Sequence, residues 1–316
     1  MKLSIVLTVY NKEPYLHRIF DSVLNQQNVR INDYEVLAVN DGSTDGSPKI
    51  LEEFELRDKR VRVLTQHNQG LSMARNNGVQ EAKGDYVWFV DADDVISSKA
   101  VSSICGAMTS QPDIIPIYAQ TEGDNRIRNC VPTTVKTGKD ILLSGRWQAC
   151  GVFNVLRRIF LQENKLTFFP GIYHEDSDFT PRMLFLAKKV VVVPEVLYTV
   201  IHEPNSITQV PRPKRAFDCL IVAERLKTFI DSQVNAEPVV VRTFNNYISN
   251  VINGALKVIV QNSDEDQALF NKTLHSKPLL LHTFKETWVI RYRIEGLLFR
   301  LFPERYTRIY SLMKML

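Results

Sequence analysis

Gly84-Asp-Tyr-Val-Trp-Phe-Val-Asp-Ala-Asp-Asp94 is the stretch whose reading decides the fold. Tyr86 to Val90 is a wholly apolar run bounded by Gly and Asp, the pattern of a central strand covered on both faces. It ends in carboxylates. If the backbone stays extended, Asp91 and Asp93 leave the strand tip on one side and Asp94 points elsewhere. Two carboxylates so placed suit Mg²⁺ or Mn²⁺, which is commonly held by one or two acids together with a substrate's phosphates. The same residues also suit a turn with a helix N-cap at Asp93 or Asp94, so the surrounding chain has to decide.

Upstream the chain alternates. Leu3 to Val9 reads as a strand, and Leu16, Ile19, Phe20, Val23 and Leu24 follow at helical spacing. Tyr34 to Val39 repeats the strand signal, Asp41 to Ser47 is turn chemistry, and Ile50, Leu51 and Phe54 mark a helix. Val61 to Leu64 and Leu71 to Ala82 give one more strand and helix. This predicts an α/β fold with a mostly parallel sheet, right-handed crossovers and ligands at the carboxyl ends of the strands. Thr8 to Asn11, Asp41 and the Asp-Ala-Asp all fall at such ends. Downstream, strands are expected near Val190 and Val196 and an amphipathic helix near Phe179 to Ala187. Pro211-Arg-Pro213 reads as a boundary before a run of helices.

At 316 residues and 44% hydrophobic, the chain can bury a large core. The four cysteines stand far apart without a Cys-x-x-Cys, which fits a reducing cytoplasm and neither a zinc site nor a disulfide framework. Met1 to Tyr10 has too short an apolar stretch and no small-residue cleavage site, so it is expected to be a first strand and not a signal peptide. No apolar run reaches membrane-spanning length. From Leu281 to Leu316 seven Lys/Arg face three Glu, so the tail carries the whole formal excess of +4 and the body is neutral. No nucleic-acid partner is expected.

Asp41-Gly-Ser-Thr-Asp-Gly46 nearly fits a calcium loop, but it follows a strand and carries Pro48 at the eighth place, so a carboxylate that accepts hydrogen bonds from a nucleobase or ribose is the better reading. Gly70 stands at a predicted helix start, where N–H groups and the helix dipole attract phosphate, and Arg75 adds a fixed cation. Asp176, next to Glu175, precedes a predicted helix; it suits either a cap or a carboxylate kept ionised for general-base work.

Taken together, Thr8-Val-Tyr-Asn11, Asn40-Asp-Gly-Ser-Thr-Asp-Gly46, Gln69-Gly-Leu-x-x-Ala-Arg-Asn76, Gly84 to Asp94 and Glu175-Asp176 stand in the order found in family 2 glycosyltransferases, which the chain resembles over roughly Lys2 to Thr208. The resemblance implies a GT-A fold and inverting transfer from a nucleotide-diphosphate sugar, UDP-sugar before GDP- or dTDP-sugar. It implies that Asp41 contacts the base, Asp91 lies near the ribose, Asp93 binds the metal and Asp176 is the general base, with Thr8, Tyr10, Glu13 and Arg75 lining the nucleotide pocket. Thr8 stands where many members have Pro. Near Asn205 to Thr208, where relatives often carry an Arg on the preceding strand, this chain offers His202 as the candidate ligand. The expected organisation is a catalytic domain over 1–212, with a nucleotide part at 1–118 and an acceptor part at 119–212, followed by a helical region at 213–316. The rival classes are weaker: a nucleotidyltransferase lacks its Gly-rich basic loop after the first strand, and a dinucleotide module lacks Gly-x-Gly-x-x-Gly.

In the tail, Trp288, Val289, Ile290, Ile294, Leu297, Leu298, Leu301 and Phe302 interleave with Arg291, Arg293 and Arg300. Beyond Pro303, Tyr306, Ile309, Tyr310, Met313 and Leu316 do the same with Arg305, Arg308 and Lys314. Such segments suit a membrane interface with anionic lipid, placing the enzyme on the inner face of the cell membrane beside a saccharide or lipid-linked acceptor. Packing on the body or a homodimer is the other outcome.

Overall fold

A computed structural model describes residues 1–201 and 212–315. The chain forms two compact units. One holds Met1–Gly171 and the chain from Met183 through the last strand; the other holds Ile172–Arg182 and the helices from Pro213 onward.

The first unit is built on β1 (Leu3–Val9), β2 (Tyr34–Asn40), β3 (Val61–Thr65) and β4 (Tyr86–Asp91), connected by α1 (Leu16–Leu24), α2 (Ser47–Arg57) and α3 (Leu71–Glu81). These four strands are parallel in the order β3-β2-β1-β4. β1 and β2 are buried along their whole length, as apolar runs sandwiched between helices must be. The short β5 (Val95–Ile96) and α4 (Ala100–Ala107) follow, then β6 (Ile114–Thr121), β7 (Asp124–Arg128) and α5 (Gly138–Ser144). β8 (Asn154–Arg157) and α6 (Arg158–Glu163) come next, and β9 (Val193–Val200) ends this unit's sheet. Beyond β4 the sheet continues as β8-β6-β9-β5, with β7 on β6, and most of these pairings are antiparallel. The parallel expectation therefore holds for the half that precedes Asp91, and the remainder is mixed. The chain moves outward from β1 to β3 and then returns to the far side of β1 with β4, so the topological switch lies between β1 and β4.

Two buried polar groups at the amino-terminal ends of these strands are satisfied within the fold. Ser4 donates to Glu35 (2.6 Å), and Glu35 also accepts from Arg62 (2.8 Å) and the Lys83 amide (2.7 Å). Gly84 fits there because a Cβ would stand 2.5 Å from the Ser4 nitrogen and 2.6 Å from the Leu3 carbonyl carbon.

Two local expectations are corrected. The backbone is not extended past Asp91: the Asp94 amide donates to the Asp91 carbonyl (3.1 Å), closing a turn, so Asp91 and Asp93 are not successive residues on one strand face. The helix expected near Phe179 is α7 (Glu175–Leu186), and it starts four residues earlier. Asp176 therefore sits inside its first turn and does not cap it. Val190 forms only an isolated bridge to Ile114.

The second unit contains the first two turns of α7 and α8 (Pro213–Asp231), α9 (Pro238–Ile259), α10 (Asp264–His275), α11 (Pro278–Thr283), α12 (Ile290–Leu301) and α13 (Tyr306–Met315). Its core is apolar, with Phe244, Ile248, Ile252, Leu256, Phe270, Phe284 and Phe299 all at most 1% exposed. No described helix is long and apolar enough to cross a membrane.

Candidate functional site

The register of the parallel strands gathers the sequence candidates of the first unit. Thr8 pairs with Asp91 on one side and with Val39 on the other, so the ends of β1, β2 and β4 open together at the switch point, where ligands bind in such sheets. The loops beyond these ends are tied to one another. Asn11, held at φ 51°, accepts from the Thr44 amide (2.7 Å), the Lys12 amide donates to Ser47 (3.0 Å), and Glu13 accepts from the Gly46 amide (2.7 Å). Glu13 thus spends one carboxylate oxygen on holding the second loop. Tyr10 is exposed and Thr8 nearly buried.

Asp41 is 4% exposed and accepts from the Gln66 side chain (2.7 Å), the Gln69 amide (2.8 Å) and the Gly70 amide (2.8 Å). An ionised carboxylate has about four acceptor positions, so three bonds fix its orientation and leave room for one more. Gly70 takes φ 84°, a conformation that favours glycine, and no side chain caps α3 behind it. Its own N–H is taken by Asp41, so any anion at this helix start meets the amides beyond it.

Arg75 is 1% exposed, with its guanidinium 5.1 Å from the Phe168 ring centroid and 5.9 Å from that of Phe89. Its Nη2 reaches Asp91 Oδ1 at 3.2 Å. Arg75 is therefore a buried cation that orients Asp91. Asn76 clasps the backbone of Phe168, donating to its carbonyl (2.8 Å) and accepting from its amide (2.9 Å), and so does not serve the cleft directly.

The acidic turn divides its labour. Asp93 is ion-paired with Lys12, and its carbonyl accepts from Arg18. Asp94 turns away, accepting from the Tyr198 hydroxyl (2.5 Å) and the Ile201 amide (2.8 Å); burial, and behind it the charge of Asp91, pushes its carboxyl up to about 7. The Asp91 and Asp93 side chains remain 36% and 23% exposed. Two accessible carboxylates of hard-oxygen character fit Mg²⁺ or Mn²⁺. Among the described residues no group of three or more His, Cys, Asp and Glu could hold a metal ion. Lys12, Phe168 and Tyr198 were not found from the sequence; Lys12 alone gave a signal, by following β1 at its carboxyl end. His202 and Asn205 to Thr208 lie outside the described residues.

In the second unit, Glu175 and Asp176 open α7 behind His174, whose backbone is left-handed at φ 64°. The turn is held from beneath by Asp178, which is fully buried and paired with Arg182 (2.5 Å) and Arg225 (3.1 Å). The hydroxyl of Tyr247 bonds the Ser177 side chain, and burial raises its pKa. The Tyr173 amide donates to Asp218 (2.8 Å), fixing the chain just before the turn. Asp176 thus stands on a helix start, where the dipole favours its ionised form.

The sequence model described as "Glycosyl transferase family 2" matches residues 4–165. The chain is 33% identical to an uncharacterized glycosyltransferase, EpsJ, of Bacillus subtilis (strain 168), covering 66% of this chain and 63% of that one. It is equally 33% identical to an uncharacterized glycosyltransferase of Haemophilus influenzae (66% and 79% covered), and 32% identical to the poly(ribitol-phosphate) beta-glucosyltransferase of Bacillus spizizenii (67% and 34% covered). It spans a little under two thirds of the length of EpsJ. Among solved structures, residues 1–349 of S. aureus TarS in complex with UDP-GlcNAc resemble it with a TM-score of 0.79 at 18% identity, over 100% of this chain and 92% of that one. The mannosyltransferase PcManGT from Pyrobaculum calidifontis, in complex with GDP-Man and Mn²⁺, does so with 0.55 at 16% identity, over 95% and 87%. At these identities the structural likeness speaks for the fold.

Proposed function

The chain belongs to glycosyl transferase family 2, and from that premise we propose that it moves a sugar from a nucleotide-diphosphate donor to an acceptor hydroxyl, with inversion at the anomeric carbon. Its α/β unit has the GT-A fold. The observation that carries the reading is the pairing of Thr8 with Asp91, which sets the ends of β1 and β4 side by side with Asp41 and Asp93 in the adjoining loops.

In this reading residues 1–212 are the catalytic domain and 213–316 a helical region that follows it in the chain. Asp41, already oriented by three donors, offers its remaining acceptor position to the base. Thr8, Tyr10 and Glu13 border the nucleotide, and Arg75 keeps Asp91 turned toward the ribose. Asp93 and Asp91 would hold a divalent cation, Mg²⁺ or Mn²⁺, which when bound supplies positive charge for the departing diphosphate. Lys12 would give up Asp93 at that point and remain nearby as a second cation. Asp176 takes the proton of the acceptor hydroxyl while its oxygen bonds to the anomeric carbon, and the diphosphate leaves with the electron pair of the broken C–O bond. One displacement needs one base and no enzyme nucleophile, hence inversion.

The donor proposed is a UDP-sugar, the class bound by the TarS neighbour, and the acceptor a cell-surface polysaccharide or its lipid-linked precursor, in line with the poly(ribitol-phosphate) transferase among the relatives. Four free cysteines agree with a cytoplasmic setting. Incubating the protein with a panel of nucleotide sugars and Mn²⁺ and measuring nucleoside diphosphate release tests the proposal. Release from one sugar nucleotide, with an inverted product by proton NMR, is expected. Pyrophosphate release from a nucleoside triphosphate, or a product of retained configuration, would overturn it.

A further inference from the structure

The tail segments that look alike in sequence are used differently in the second unit. On α13, Tyr306 and Tyr310 are buried, Tyr306 against Phe299 with ring centroids 4.9 Å apart. On α12, Glu295, Gly296 and Phe299 face inward, and a Cβ on Gly296 would stand 2.4 Å from Phe284 Cβ, so this face is seated as closely as a helix can be. The opposite face has no cover. Ile290, Ile294, Leu297 and Leu301 are 71%, 48%, 58% and 61% exposed, and at about 100° per residue they fall within a stripe roughly 60° wide. Trp288 and Val289 extend this stripe before the helix and Phe302 after it, all exposed.

The charges that reach the surface around the stripe are of one sign. From Trp288 to Phe302 the single acid is Glu295, which is fully buried and bonded to Arg291 (2.8 Å) and Asn253 (2.8 Å). Arg293 and Arg300 lie along one edge of the stripe and Arg291 along the other, where long side chains can lay their stems on apolar surface and lift their heads to a polar layer. An apolar ridge with an aromatic residue at each end and cations on both flanks is the cross-section of a helix lying in a membrane interface.

We propose that α12 is the docking face of this protein for an anionic lipid surface, with Ile290, Ile294, Leu297 and Leu301 entering the acyl boundary and Arg291, Arg293 and Arg300 at the headgroups. A second copy of the chain fits less well. A two-fold dimer through this face would set arginine edges against one another with no exposed acid on the helix to meet them. The docking face is α12 alone, because α13 spends its aromatic residues on the unit's core.

The test is flotation of the full chain with vesicles of phosphatidylcholine, with and without phosphatidylglycerol, at low and high salt. Flotation with the anionic vesicles that weakens with salt is expected. Leu297→Gln and Leu301→Gln should each lower the partition roughly tenfold while leaving the melting temperature in place, since neither side chain is in the core. Failure to float with anionic vesicles would overturn the proposal, and so would undiminished flotation of the double variant. So would a dimer, seen by analytical ultracentrifugation, that the same substitutions disperse in a protein that does not float. None of these readouts depends on turnover, so this inference stands or falls separately from the proposed activity.

Discussion

Arg225 on α8 donates from Nε to Asp178 Oδ1 at 3.1 Å, and this joins the turn that carries Glu175 and Asp176 to the helical core of the second unit. Asp178 has no exposed surface and a second partner in Arg182. Removing the carboxylate takes an anionic partner away from two guanidinium groups, one of them nearly buried. Breaking a buried pair from one side costs about 3–5 kcal/mol. Asp178→Ala is expected to lower the melting temperature sharply in a calorimetric scan, and Arg225→Ala, whose side chain is one-third exposed, to lower it less.

Arg75 is held by geometry that a lysine cannot reproduce. Its planar group lies by Phe168 and Phe89 while one arm reaches Asp91, whereas an ammonium would keep the charge but lose the stacking and the directed contact. The stacking is worth about 0.5–2 kcal/mol. Arg75→Lys is expected to raise the donor KM roughly tenfold with a smaller change in kcat. Equal kinetics in the two proteins would show that a positive charge beside Asp91 suffices and that the planar guanidinium is not required.

Gly84→Ala tests the opening stretch of the strand that carries the acids. The added methyl meets the backbone of Leu3 and Ser4, neither of which can swing aside. A loss of about 1–3 kcal/mol is expected from such overpacking, read as a lower urea midpoint. An unchanged midpoint would mean that the ends of β1 and β4 can part at small cost.

His174 gives a pH dependence with a definite sign. Burial, and behind it the charge of Arg215, holds its imidazole below the ordinary value of 6.5, and its Nε2 is buried without a hydrogen-bond partner among the described residues. The folded chain therefore prefers the neutral ring. Its contribution to stability is complete above 6.5 and is lost as the pH falls through 6.5 toward the lower folded value, because the unfolded chain takes up the proton first. Melting temperatures from pH 7.5 down to pH 5.5 should fall more steeply for the wild type than for His174→Asn, which stays neutral and suits a left-handed backbone. Parallel curves would refute the assignment.

Removal of divalent metal with EDTA should abolish nucleoside diphosphate release, and Mn²⁺ should restore it. Asp93→Asn should lower the restored rate by roughly a hundredfold or more. Lys12→Met should shift the Mn²⁺ titration to lower concentration, because the ammonium paired with Asp93 would no longer compete for the same oxygen. A rate indifferent to EDTA would remove the metal from the mechanism.

The sequence by itself determined the strand over Tyr86 to Val90, the three helices before it, and the gathering of Thr8, Asp41, Asp91 and Asp93 at one edge. Those features follow from apolar periodicity and from the handedness of parallel crossovers, which are properties of short stretches read in order. It also held the five motifs that point to the family. What only the tertiary structure decided are the partners. Lys12 meets Asp93 across 81 residues, Tyr198 reaches Asp94 across 104, and Phe168 stacks on Arg75. The turn at Ala92 and the early start of α7 were likewise hidden, because a carboxylate reads the same in an extended strand, a turn or a first helical turn. The tail shows the limit most plainly: α12 and α13 interleave apolar and basic residues alike, yet Phe299 draws Tyr306 inward while Ile290, Leu297 and Leu301 are left outside. Periodicity tells which residues share a face, and only packing against the rest of the chain decides which way that face is turned.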